Sequence, residues 1–266
     1  MKETKVYLLD GGSLSLDRSY MFMGAGLTGE RRFPVYSVLV DHADGKFLFD
    51  TGFDFGHMSG TVPHTMPQQT PAQTIPGQLD AIGLSPKAIT HVINSHYHVD
   101  HCGGNKHCIH ATTVCHKCEL EVLKSPEPKN EIPYSDISFA PNIRRPEPAG
   151  SGTAPDIYTP TFEALTGDQE IAKGVYLFET LGHTPGHYSL MVRLANRKAM
   201  LFTADACYSQ KNLDMMCIQS GNHDPALALQ SLHRLKSLAE QHDAELFYSH
   251  DPESWPQYQK APGYYS

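Results

Sequence analysis

The sequence predicts an α/β fold built from two strand-rich halves, and three observations carry that prediction. Short apolar runs with strand periodicity recur along the chain faster than helical patterns do. Each half closes on a cluster of His and Asp placed directly after such a run. Over 266 residues, 40% hydrophobic and 19% charged content is that of an ordinary globular protein with apolar side chains enough for a large core.

The elements follow in order. Val6 to Leu9 opens the first half, and Val35 to Val40 pairs with Lys46 to Asp50 across the Ala43-Asp44-Gly45 turn. Ile89 to Asn94 reads as a buried strand, Thr112 to Val114 as a short one, and Lys117 to Leu123 as a helix. In the second half Val175 to Glu179, Tyr188 to Leu194 and Ala199 to Thr203 read as strands. Asp224 is a good N-cap with Pro225 behind it, and Ala228, Leu232, Leu235 and Ala239 form the apolar stripe of the clearest helix. That helix leads into a strand from Glu245 to Tyr248. Two stretches, near 53–77 and 125–161, are expected to be irregular insertions in one domain spanning 1–266; the second carries eight prolines.

Composition narrows the function classes. The net charge of −8 with scattered basic residues gives no footprint for nucleic acid or an anionic membrane. No apolar run approaches the roughly 20 residues that span a bilayer, and Met1 to Lys5 leads into a strand without a signal-peptide core, so a cytoplasmic location is expected. Six cysteines in such a chain favour free thiols over a disulfide framework, and Cys115-His116-Lys117-Cys118 reads as structural because no second pair follows. Histidine, at 16 residues, is the compositional outlier.

Four separated segments each put a His or Asp at the carboxyl end of a strand: His96, His98, Asp100 and His101; then His183; then Asp205; then His250. One tetrahedral ion needs about four ligands, so seven suit two ions with a carboxylate between them.

This pattern resembles the metallo-β-lactamase superfamily, whose H-x-H-x-D-H motif is matched by His96, His98, Asp100 and His101. Within it the chain is similar to the N-acyl homoserine lactonases, through Tyr208 three residues after Asp205, Phe33-Pro34-Val35-Tyr36, Asp50-Thr51-Gly52 and Tyr20-Met21-Phe22-Met23. Around Asn94 to Lys106 and Tyr248 to Asp251 it also resembles the 4-pyridoxolactonases. The resemblance implies a four-layer αβ/βα sandwich, two mixed sheets face to face with helices outside. It implies two zinc ions, although His/Asp sites also accept Mn, Fe or Co. The first would be held by His96, His98 and His183, the second by Asp100, His101 and His250, with Asp205 bridging.

The implied activity is lactone hydrolysis, by hydroxide generated at the metals, on N-acyl homoserine lactones; the alternative is a pyridine-fused lactone. Tyr208 would stabilise the oxyanion and Asp100 would protonate the leaving alkoxide. Met21, Phe22 and Met23 would line the acyl pocket with Tyr208, and Asp50 and His187 would orient ligand imidazoles. A pyridine acid would want a cation, for which Arg31, Arg32 and Lys211 are available. The implied partner is a small lactone, and the two proline-rich insertions invite a homodimer. A metal-binding scaffold without activity is the reading from another class, separated from an enzyme by a hydrolysis assay.

Overall fold

Residues 3–123 and 161–266 are described by this computed structural model. The first sheet runs in spatial order through β1 (Lys5–Asp17), β2 (Glu30–His42), β3 (Gly45–Phe49), β4 (His91–Ile93), β5 (Thr112–His116) and β6 (Phe162–Leu165). The second contains β7 (Gln169–Ala172), β8 (Val175–Glu179), β9 (Tyr188–Val192), β10 (Ala199–Phe202) and β11 (Ala244–Phe247), with β11 at one edge and β7 at the other. Both sheets are mixed: β3 to β6 pair in parallel, as do β10 and β11, and the remaining pairs are antiparallel.

Alternation along the strands builds the layers. Val38, Val40, Phe49 and Ile93 point inward and meet Leu177, Leu190, Met200 and Phe202 from the other sheet. On the outer face of the first sheet Leu39, Leu48 and Val92 pack against Ile75 and Leu79 of the helix Ile75–Asp80. Neighbours Val92 and Ile93 therefore serve opposite cores, as a strand buried on both faces requires. The second sheet is covered by the helix Pro225–His242, whose Leu232, Leu235 and Leu238 pack with Met191 and Leu201. Three such buried side chains contribute on the order of 6 kcal/mol. The Asp224 carboxylate caps that helix by accepting from the amides of Ala226 and Leu227. The result is the four-layer sandwich.

Several boundaries differ from expectation. β1 runs to Asp17 because the register shifts between Asp10 and Ser13, where Gly12 takes φ +101°, and pairing with β2 then resumes. β6 and β7 are short and largely unburied, so no apolar run announces them. The stretch 53–77 is not irregular: Asp54 caps a helix Phe55–Thr61 by accepting from His57 N, and Thr74 starts the helix Ile75–Asp80. Short polar caps built both elements without long periodicity. The expected insertion at 125–161 lies, but for Thr161, outside the described residues.

Candidate metal centre

All four ligand-bearing segments leave the carboxyl ends of β4, β8, β10 and β11 on one rim of the sandwich. After β4 the chain turns through His96 and His98 into the one-turn helix Val99–Cys102, which carries Asp100 and His101. After β8 the turn holding His183 lies so close to the helix Pro225–His242 that a Cβ on Gly182, at φ +117°, would stand 2.1 Å from Ala228 N. Only glycine fits there.

Two groups of donors result: His96, His98, His183 and Asp205 in one, Asp100, His101 and His250 in the other, with donor atoms within 4.8 Å of one another in each. His98 Nδ1 stands 3.0 Å from Nε2 of both His96 and His183. Asp205 lies between the groups. Its Oδ2 is 3.3 Å from His183 Nε2 and 3.8 Å from His96 Nε2, while its Oδ1 is 3.1 Å from Nε2 of His101 and of His250. Asp100 Oδ2 is 3.8 and 3.7 Å from those last two nitrogens.

Hydrogen bonds on the far sides of the rings set the tautomers. His101 Nδ1 donates to Asp50 Oδ2 at 2.8 Å, and His250 Nδ1 to the Pro34 carbonyl at 2.9 Å. Ser95 Oγ donates to Asp50 Oδ2 at 2.7 Å and accepts from His96 Nδ1 at 2.9 Å. His183 Nδ1 lies between Gln219 Nε2 at 3.0 Å and Asn222 Oδ1 at 3.3 Å. In His96, His101 and His250 the Nε2 lone pair is thereby turned into the cluster, whereas His98 turns its Nδ1 there. The buried Nε2 of His101 and of His250 and Oδ1 of Asp205 make no hydrogen bond. Lone pairs crowded together without hydrogens fit divalent cations, and N/O donors suit borderline ions such as zinc.

The buried charges act strongly on one another. Burial, reinforced by His101, holds His96 well below the usual imidazole range, and burial with His183 does the same to His98. Burial opposes charge on His101 too, but Asp205, Asp100 and Asp50 outweigh it and raise its pKa. Burial likewise works against the Asp205 carboxylate, yet His101 and His250 keep it well below the carboxylate range. Burial, then Asp205, pushes the Tyr208 phenol well above its ordinary value, so it stays a neutral donor.

Sequence expectation and structure part company at two points. His187 does not touch a ligand ring's nitrogen; its Nε2 accepts the Asp205 amide at 3.0 Å, and its Nδ1 meets Thr180 Oγ1 at 2.8 Å. It therefore positions the carboxylate between the groups. The second concerns the pocket. A cavity of about 450 Å³ opens above His98, Asp100, Asp205 and His250, walled by Leu14, Leu16, Tyr20, Phe33, Met58, Val62 and Tyr208. Met21, Phe22 and Met23 are not in that wall. On the helix Arg18–Met21 each residue turns about 100° from the last, so Tyr20 faces the cavity while Met21 packs into the protein; Met23 is largely exposed. Leu14 and Leu16 share a face of β1, and that i, i+2 spacing was the available signal.

A second groove of about 710 Å³, lined by Arg18, Met21, Phe22, Arg31, Lys211 and Asp214 among others, contains none of the seven ligand residues. Its Arg31 pairs with Glu253 at 3.1 Å. Among the described residues no metal-binding group includes Cys115 or Cys118; Cys115 is buried on β5 and Cys118 is exposed.

Comparison with known proteins agrees with this geometry. The model of the metallo-beta-lactamase superfamily matches residues 31–250. An N-acyl homoserine lactonase from a Bacillus species is 30% identical over 95% of both chains, and the lactonase AttM of Rhizobium radiobacter is 28% identical over the full length of both. Among solved structures, a B. thuringiensis AiiA variant with N-decanoyl-L-homoserine bound at the active site superposes with a TM-score of 0.83 at 26% identity, each chain covered in full.

Proposed function

The chain belongs to the metallo-beta-lactamase superfamily and, within it, to the N-acyl homoserine lactonases, and on that premise we propose that it opens the lactone ring of N-acyl homoserine lactones, a quorum-quenching hydrolysis. The observation that carries this reading is Asp205 spanning two donor groups on the floor of an apolar cavity. His96, His98 and His183 would hold one divalent cation and Asp100, His101 and His250 the other, with Asp205 shared; both are proposed to be zinc. When bound, such ions make water a nucleophile at neutral pH and polarise an ester carbonyl.

The chain's own residues do the rest. The apolar wall of Leu14, Leu16, Phe33 and Val62 takes the acyl chain and excludes water from the reacting ester. Tyr208 donates its phenolic proton in a hydrogen bond to the carbonyl oxygen as negative charge gathers there. Addition at the ester carbonyl gives a tetrahedral adduct, whose ring C–O bond breaks as the carbonyl re-forms; Asp100, which borders the cavity, takes the proton given up by the attacking water and passes it to the departing alkoxide. His187 and Asp50 keep Asp205, His101 and His96 aligned.

The cavity wall contains no Lys or Arg among the described residues. Arg31, Arg32 and Lys211 lie elsewhere, so an uncharged acyl chain suits the cavity better than a pyridine acid. The test is a rate comparison of zinc-loaded protein on butanoyl- and decanoyl-homoserine lactone and on 4-pyridoxolactone. Turnover of the acyl substrates that is lost on chelation and restored by zinc is expected; no turnover of either acyl lactone overturns the proposal.

A further inference from the structure

Glu119, in the helix Lys117–Leu123 behind the site, is fully buried with a relative exposure of 0%. Carboxylates are almost never buried this way without a partner. Burial raises its pKa to about 7, and hydrogen bonds to its charged form offset part of that cost. Its partners include two backbone amides, and the Thr184 side chain also favours its charged form. Oε2 accepts from Tyr97 N at 3.0 Å, and Oε1 accepts from Gly186 N at 3.0 Å.

Those amides belong to two different ligand segments. Tyr97 stands between His96 and His98, on the chain leaving β4 of the first sheet. Gly186 stands in the turn between β8 and β9 of the second sheet, which supplies His183 and His187. A single side chain thus spans the seam between the sheets where the first donor group is assembled. The approach is close: a Cβ on Gly186 would stand 2.5 Å from His116 Nδ1 and 2.9 Å from Glu119 N. A parallel tie, Tyr188 N to the Ser95 carbonyl at 3.0 Å, joins the same two segments. The side chains of Tyr97, Cys102 and Cys115 form an apolar cluster beside them.

We propose that Glu119 is the positioning residue of the first cation group: by accepting one amide from each ligand segment it fixes His96 and His98 relative to His183. Among the described residues it has no such tie to the segment holding His250, so its loss should fall mainly on the first group rather than on Asp100, His101 and His250. This inference rests on the reading of the centre as a holder of two cations.

The test uses Glu119→Gln, which keeps the size but must turn an NH₂ against one of the two amides. Metal-free wild type and variant are titrated with Co(II), following affinity by chelator competition and ring-proton shifts by NMR. Wild type should take up two equivalents. The variant should bind one with wild-type affinity, shifting His101 and His250 protons, and the other about 10- to 100-fold more weakly, with His183 shifts lost first. Two equivalents at wild-type affinity in the variant, or equal weakening of both, overturn the role of Glu119. A wild type that binds no Co(II) instead overturns the metal reading itself. Should the variant not fold, amide hydrogen exchange on metal-free wild type reads the clamp directly: Tyr97 and Gly186 should be protected to the same degree, and free exchange at either one overturns it.

Discussion

Asp50 Oδ2 receives the Nδ1 proton of His101 at 2.8 Å. The same carboxylate binds the amide and hydroxyl of Ser95, each at 2.7 Å, and through that hydroxyl reaches His96. Asp50 follows β3 in a left-handed conformation, φ +57°, which turns its side chain to both partners. One buried acid thus aligns an imidazole in each donor group.

Replacing Asp50 by Asn should therefore weaken both cations, by about 10- to 100-fold in affinity. The amide oxygen can serve either the Ser95 amide or the pair formed by His101 Nδ1 and the Ser95 hydroxyl, and its NH₂ faces whichever is left. Chelator competition on the purified variant measures this, and affinities within threefold of wild type would remove Asp50 from the account.

Asp205→Asn and Tyr208→Phe separate holding a metal from using it. The first replaces a charged oxygen that lies 3.1 Å from two imidazoles, so bound metal and activity should fall together. Tyr208→Phe removes only a hydrogen-bond donor from the cavity wall and should keep both ions. Its turnover should drop by about 10- to 1,000-fold with KM little changed. Normal turnover in Tyr208→Phe would end the oxyanion role.

The site was more legible in the sequence than its surroundings, for a physical reason. His96, His98, Asp100 and His101 sit within six residues of one another, and a turn after a buried strand cannot hide such a density of ligands. The pocket wall was announced only in part: Tyr20 and Phe33 lie in segments that carry the lactonase resemblance, while Leu16 and Val62 are ordinary apolar residues until the fold gathers them. Glu119 was silent too: the contacts by which it joins the two segments are to backbone amides, which carry no residue type. β6 and β7 lacked apolar runs, while Asp54 and Thr74 each started a helix by one local hydrogen bond.

Thiol reactivity should divide by burial and climb with pH. Burial pushes the Cys108 and Cys115 thiols up to about 12, so at pH 8 only about one in ten thousand is ionised. Raising pH increases the thiolate, hence the rate, until that value is reached; lowering it does the reverse. Cys118, which is exposed, should react first with a disulfide reagent on the native protein, and Cys108 and Cys115 only on unfolding. Changing both Cys115 and Cys118 to Ser should leave metal stoichiometry unaltered; loss of an ion would make the pair a metal site.

The route of the acyl chain can be tested at Leu16. This side chain lines the cavity from β1 and is only partly buried, so a larger ring there fills the cavity without overpacking the sheets. Leu16→Trp should raise KM for decanoyl-homoserine lactone at least tenfold, since each displaced methylene forfeits roughly 1 kcal/mol of burial. Butanoyl-homoserine lactone, too short to reach that wall, should keep kcat and KM within about twofold. The groove beside Arg31 and Lys211 makes the opposite prediction: a chain lying there would ignore Leu16→Trp and respond to Phe22, whose ring is 5.6 Å from Lys211 Nζ. Equal kinetics for the long substrate in wild type and Leu16→Trp would therefore move the chain out of the apolar cavity and into that charged groove.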